Sequence, residues 1–223
     1  MRIGTNRTSR LLAFAGVLAI LGGCGGGDST DSITITGTAA IGKALSGASV
    51  VVTCAAGTGS ATSNADGSYT VTINSGKGPC LLTATQGTTV LHSVASGAGV
   101  VNITPLTDML ATYLATQAGT SVNNLLSNAN GRGILQSSSA INAAQNAVAS
   151  IMQTDFGVTL SSNNFLTATI VPGSSRSATD TDLENLLRAG AVNTNGAVSS
   201  VVNVIVRAVA EQAIPFVAPS GAT

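Results

Sequence analysis

The stretch Asn64-Ala65-Asp66-Gly67-Ser68-Tyr69-Thr70-Val71-Thr72-Ile73 reads as a turn feeding a β-strand. Asp66-Gly67 tolerates the positive φ of a tight turn. After it, Tyr69, Val71 and Ile73 alternate with Ser68, Thr70 and Thr72, the period of two that a half-buried strand requires. The same alternation extends outward in both directions. Ile33 and Ile35 oppose Thr34 and Thr36; Val50, Val52 and Cys54 share a face; Leu81-Leu82 and Val90-Leu91 supply further apolar runs between Gly, Asn, Asp and Ser. Residues 33–103 are therefore predicted to form five or more strands folded as a small antiparallel β-sandwich, with 64–68 as a hairpin turn.

The period changes at Thr104-Pro105. Thr caps a helix, Pro suits its first turn, and Leu106, Leu110, Tyr113 and Leu114 then fall on one face, predicting a helix to about Gln117. Helical spacing returns at Ile141, Ala144, Val148, Ile151 and Met152, and at Leu183, Leu186 and Leu187 before Gly190. It returns again at Val198, Val201, Val202, Ile205 and Val209, where Arg207 and Glu211 at i,i+4 favour helix and Pro215 ends it. Four helices is the conservative count, with Ser-, Asn- and Gly-rich stretches at 119–133 and 161–179 read as loops containing some short helix. The expected class is α+β: a sandwich over 33–103 followed by a mainly helical module over 104–223.

Gly37-Thr38-Ala39-Ala40, Leu45-Ser46-Gly47-Ala48-Ser49-Val50 and Asn64-Ala65-Asp66-Gly67-Ser68-Tyr69-Thr70-Val71 together resemble the carboxypeptidase regulatory-like domain, a transthyretin-like β-sandwich. The resemblance covers about 70 residues and rests on turn and core chemistry. It implies an accessory or adhesive module, sometimes related to carbohydrate-binding sandwiches, and transfers no catalytic residue. Asn102-Ile103-Thr104-Pro105-Leu106-Thr107, directly after it, is similar to a junction found in bacterial lipoproteins of unassigned function.

The N-terminus reads as an address. Arg2, Arg7 and Arg10 precede a wholly apolar run at 11–21, too short to span a bilayer of about 30 Å as a helix. Leu21-Gly22-Gly23-Cys24 follows, which resembles the bacterial lipobox. That resemblance implies a signal peptide over 1–23, cleavage before Cys24, and acylation of the Cys24 thiol and of the new amino terminus. Two or three acyl chains hold a protein stably at a membrane, whereas one binds marginally. Gly25, rather than Asp, follows Cys24; in Gram-negative lipoproteins this implies the outer membrane. Residues 24–32 read as a flexible tether of about 15 Å root-mean-square span.

Export bears on the other two cysteines. Cys54 and Cys80 form an even pair, and an oxidising compartment favours a disulfide between them. Closing that loop stabilises by roughly 3.5 kcal/mol in the chain-entropy view. Two distant Cys and a single His fall short of a metal ligand set, and there is no Cys-x-x-Cys redox pair.

Composition narrows the chemistry further. The 223 residues carry nine basic and nine acidic groups; with three Arg in the first ten residues, six basic face nine acidic afterwards, about −3. Only 8% of residues are charged and 3% aromatic, without Trp, so no basic stripe or stacking platform suggests nucleic acid. Gly37 to Ala44 nearly satisfies a phosphate loop, but Ala44 replaces the magnesium-binding hydroxyl and Leu45 to Cys54 reads as turn then strand. Asn64-x-Asp66-Gly67 echoes a calcium loop, yet Thr62 and Ile73 occupy ligand positions. His92 shares a strand face with Val90 and Val94 and is expected to be partly buried and hydrogen-bonded. Asp180, Asp182 and Glu184 form an acidic cluster, first of all a helix start with Thr181-x-x-Glu184 as capping box.

These readings lead to an expected lipid-anchored envelope protein that binds or supports without catalysis and needs no cofactor. Its partners are the membrane through Cys24 and an envelope protein or glycan. A glycan-binding module is the alternative within binding, weakened by having only Tyr69 and Tyr113 besides Phe. The alternative of another class is a hydrolase using Asp180, Asp182 or Glu184 as acid and base, which requires a raised carboxylate pKa in a cleft.

Overall fold

A computed structural model describes residues 32–173 and 177–213. The leader, Cys24, nearly all of the tether and Pro215 lie outside the described residues. Seven strands come first: β1 (Ile33–Thr38), β2 (Ser49–Ala56), β3 (Thr58–Thr62), β4 (Ser68–Ile73), β5 (Lys77–Gln86), β6 (Thr89–Ala95) and β7 (Gly99–Val100). They form two sheets, in the orders β4-β1-β7 and β3-β2-β5-β6. All strand pairs are antiparallel except β1 with β7, which run parallel through Ile35 opposite Gly99 and Thr36 opposite Val100.

The predicted alternation sets the faces. Ile35 on β1, Val50, Val52 and Cys54 on β2, and Tyr69, Val71 and Ile73 on β4 are all buried. The Asp66-Gly67 turn differs from the hairpin expected, because it joins β3 to β4 and so carries the chain from one sheet to the other. The turn itself forms as its residues require: Gly67 has φ 79°, and Asp66 Oδ1 accepts from the Ser68 backbone N–H at 2.9 Å and hydroxyl at 2.7 Å. Those two bonds hold the exposed Asp66 carboxyl below its ordinary range. Gly37 leaves no room for a Cβ beside the Val101 carbonyl, to which the buried Tyr69 hydroxyl also donates. Burial pushes the Tyr69 phenol well above its usual range.

Among the described residues five α-helices follow: α1 (Pro105–Gln117), α2 (Ala129–Gln136), α3 (Ser138–Phe156), α4 (Ala178–Arg188) and α5 (Ser200–Gln212). The α1 start is the one expected. Thr104 accepts from the Thr107 backbone N–H, and the Thr107 hydroxyl accepts from that of Thr104, a reciprocal capping box. α2 is a short helix of the kind expected within 119–133, running on to Gln136; its eight residues carry few apolar side chains, and Asn128 caps it through the Gly131 N–H. Two expectations need correction. α4 begins one turn before the predicted capping box, with Ser177 accepting from the Asp180 N–H. On α5 the inward residues are Val202, Val206 and Ala210, while Val201 is exposed.

The helices pack on one half of the four-stranded sheet, α1 against β6 and α2 against β5. This explains β5, where Pro79, Cys80, Leu81 and Leu82 are buried in succession: one face looks into the sandwich and the other lies under helices. β2, beyond the helices, keeps a clean alternation with Val51 outside. Asn102 stitches the two parts together. Buried, it accepts from the Thr38 N–H, donates to the Ala168 and Phe165 carbonyls, and gives its own N–H to the Leu166 carbonyl.

Candidate functional site

The single histidine stands at the seam between sheet and helices. β6 is an edge strand, and its edge is covered by the first turn of α1. The His92 backbone N–H donates to Asp108 Oδ1 at 2.9 Å, and the ring Nδ1 lies 2.7 Å from the same oxygen. Thr107, one residue earlier, donates its hydroxyl to the His92 carbonyl at 2.9 Å. Both backbone groups that His92 turns away from β5 are thus occupied, closing an edge on which a foreign strand would otherwise pair. The side chains are 20% and 15% exposed, so the histidine is partly buried and hydrogen-bonded as the sequence predicts. It shares a strand face with Val90 and Val94 as expected, opposite the inward Leu91 and Ser93; along that face Val94 is buried and Val90 exposed. A carboxylate on Nδ1 orients an imidazole, as in hydrolytic triads, but among the described residues no hydroxyl hydrogen-bonds the ring.

The three acidic residues do not converge. Asp182 is buried, and its Oδ2 accepts from the backbone and hydroxyl of Ser161 at 2.9 and 2.6 Å, pinning the loop before α4. Glu184 pairs with Arg188 one turn on, at 2.9 Å. Asp180 lies in the capped first turn and is buried. Capping and loop anchoring account for their positions better than a shared cleft, since each carboxylate meets different surroundings. Among the described residues no three His, Cys, Asp or Glu gather where they would hold one metal ion, and no helix is long and apolar enough to cross a membrane.

Cys54 and Cys80 form a disulfide. They are directly opposed across β2 and β5, with Cα atoms 3.9 Å apart, and both are buried. The phosphate-loop echo at Gly37 to Ala44 leads from β1 through a loop to β2, so it opens onto a strand and not onto a helix of its own. Tyr69 and Tyr113, the two tyrosines available for stacking on a sugar, are both buried.

Among the described residues, three surface grooves of similar size stand out. One of about 320 Å³ has Arg207 and Glu211 on its rim at the α1 and α5 ends; another of about 320 Å³ is bordered by Lys43, Glu184 and Arg188. The third, about 330 Å³, runs between the β6–β7 loop, α3 and the 164–167 loop, and it continues into a neighbouring recess through Asn142, Gln145 and Asn164. The sequence reading passed over its side chains. Asn142 and Asn146 stand four apart on the solvent side of α3, a spacing visible in the sequence, but Asn163 and Asn164 reach them only through the fold. Compared with protein families, with curated proteins and with solved structures, the chain finds no match.

Proposed function

We propose that this chain is a lipid-anchored protein of the bacterial cell envelope, held at the membrane through Cys24, whose folded part binds or supports a partner without catalysing a reaction. The observation that carries the proposal is the Cys54–Cys80 disulfide. Disulfides persist in oxidising compartments outside the cytoplasm, which agrees with a leader ending in Leu21-Gly22-Gly23-Cys24. Gly25 after Cys24 favours the outer membrane of a Gram-negative host. The fragments resembling a carboxypeptidase regulatory-like domain fall at the end of β1 and at the entries to β2 and β4, in keeping with an accessory sandwich.

A non-catalytic role is supported by how the polar groups are employed. Asp108 and His92 close a sheet edge, Asp182 pins a loop, and Glu184 pairs with Arg188. Labelled palmitate should enter the protein and be lost in Cys24→Ser; unchanged labelling would remove the anchor from the proposal. Crosslinking in cells, followed by mass spectrometry, should recover a partner from the acylated protein and not from Cys24→Ser. That partner should persist in His92→Ala and in Asp182→Asn. A turnover activity abolished by either substitution in a still-folded protein would make the chain an enzyme.

A further inference from the structure

The groove between the β6–β7 loop and α3 is walled by carboxamides. Asn142, Gln145, Asn146, Asn163 and Asn164 line it, and among the described residues no charged side chain does. Its floor is apolar, formed by the buried Val94, Val101, Ile141 and Leu166. Part of the amide capacity is committed to the fold. Gln145 Oε1 accepts from the Leu166 N–H at 3.2 Å, Asn163 Nδ2 donates to Asn146 Oδ1 at 2.9 Å, and Asn164 Oδ1 accepts from the Thr167 hydroxyl at 3.0 Å. The remainder is open. Among the described residues, no hydrogen bond is made by the side-chain N–H₂ groups of Asn142, Asn146 and Asn164, or by Asn163 Oδ1. Three double donors and one acceptor therefore line a neutral recess over an apolar floor.

We infer that this groove is a binding site for an uncharged glycan. Planar carboxamides meet neighbouring hydroxyl or acetamido groups with donor and acceptor together, and a neutral wall offers no charge to pair with an ionic ligand. The apolar floor suits the C–H side of a sugar ring without stacking. A peptide strand is the competing occupant, and the sheet edge disfavours it. β7 offers two residues, and beyond them the Asn102 N–H is already bonded to Leu166, so the backbone template for strand addition is short. The inference rests on the proposed binding role and names the ligand class; acylation is read out separately by palmitate, so either idea can fail alone.

The test is a titration of the ¹⁵N-labelled exported protein, followed through its side-chain N–H₂ resonances. Chitotetraose and cellotetraose serve as neutral glycan probes, with and without acetamido groups, and a neutral octapeptide of Thr, Val, Ser and Ala serves as the contrast. Saturable shifts of Asn142, Asn146 and Asn164 with at least one glycan are expected. Asn142→Leu and Asn164→Ala, both at exposed positions, should each weaken binding about fivefold per hydrogen bond lost. Asn123→Leu, exposed on another part of the surface, should leave it unchanged. Glycan shifts confined to other residues, or none with either glycan at its solubility limit, would overturn the assignment. Shifts of these groups with the peptide alone would overturn it in favour of a strand-binding groove.

Discussion

Asp108 shows how much one carboxylate can hold. Its Oδ1 takes a backbone N–H from an edge strand and faces the ring of the same residue, so Asp108→Ala leaves a partly buried N–H without its partner. We expect a loss of about 1–3 kcal/mol in urea unfolding. His92→Ala keeps the backbone bond and should cost less; an equal or larger loss would mean that the ring, and not the edge, is what Asp108 serves. The sequence made the state of His92 legible, since a lone histidine on a strand is usually hydrogen-bonded. The partner was not legible. Asp108 lies sixteen residues away on another element, and only the angle at which α1 docks brings it to the strand. The amide groove was hidden for the same reason, with Asn163 seventeen residues from the Asn146 it bonds.

At the scale of elements, existence and type followed from periodicity wherever apolar and polar positions alternate distinctly. β4 and α1 are such cases, each flanked by turn or cap chemistry that leaves little choice. Orientation failed where the pattern is nearly uniform. α5 carries Val or Ile at most positions of its first half, so its spacing indicates a helix but does not say which stripe faces inward. Packing against α1 and α3 decides that, burying Val202 and Val206 and leaving Val201 and Val204 exposed at 60% and 68%. Val202→Ala should therefore cost about 2 kcal/mol through the cavity it opens, whereas Val204→Ala should change stability by less than about 0.5 kcal/mol. The reverse order in thermal or urea unfolding would reverse the assigned face. At α4 the misplaced cap has a similar origin: Ser177 and Thr181 are both competent caps one turn apart, and loop contacts from Ser177 to Thr169 select the earlier start.

For the molecule as a whole, the strands and helices share a continuous core, with Leu91 of β6 and Leu106, Met109 and Leu110 of α1 all buried within it. The α+β class and the strands-first order were readable from the switch in period near Thr104. That the helices would cover β5 and β6 and leave β2 open was not, because a buried run such as Cys80-Leu81-Leu82 reads the same in a helix or a doubly covered strand. The disulfide ties the covered strand β5 to the half-open strand β2. Cys54→Ser with Cys80→Ser should lower stability by roughly 3.5 kcal/mol, and alkylation of the native protein should find both thiols blocked until reductant is added. A double variant as stable as the parent would show that the bridge adds little beyond the packing around it.

The parallel pairing of β1 with β7 also orders events in time. A chain is synthesised from its N-terminus, so β1 emerges first and its neighbour β7 more than sixty residues later. β4 can seal one side of β1 early, but the other side stays open until Gly99 and Val100 arrive, followed at once by the residues that begin α1. During that interval this margin of β1 is unpaired, a place where a holding chaperone would gain its purchase and a protease its opportunity.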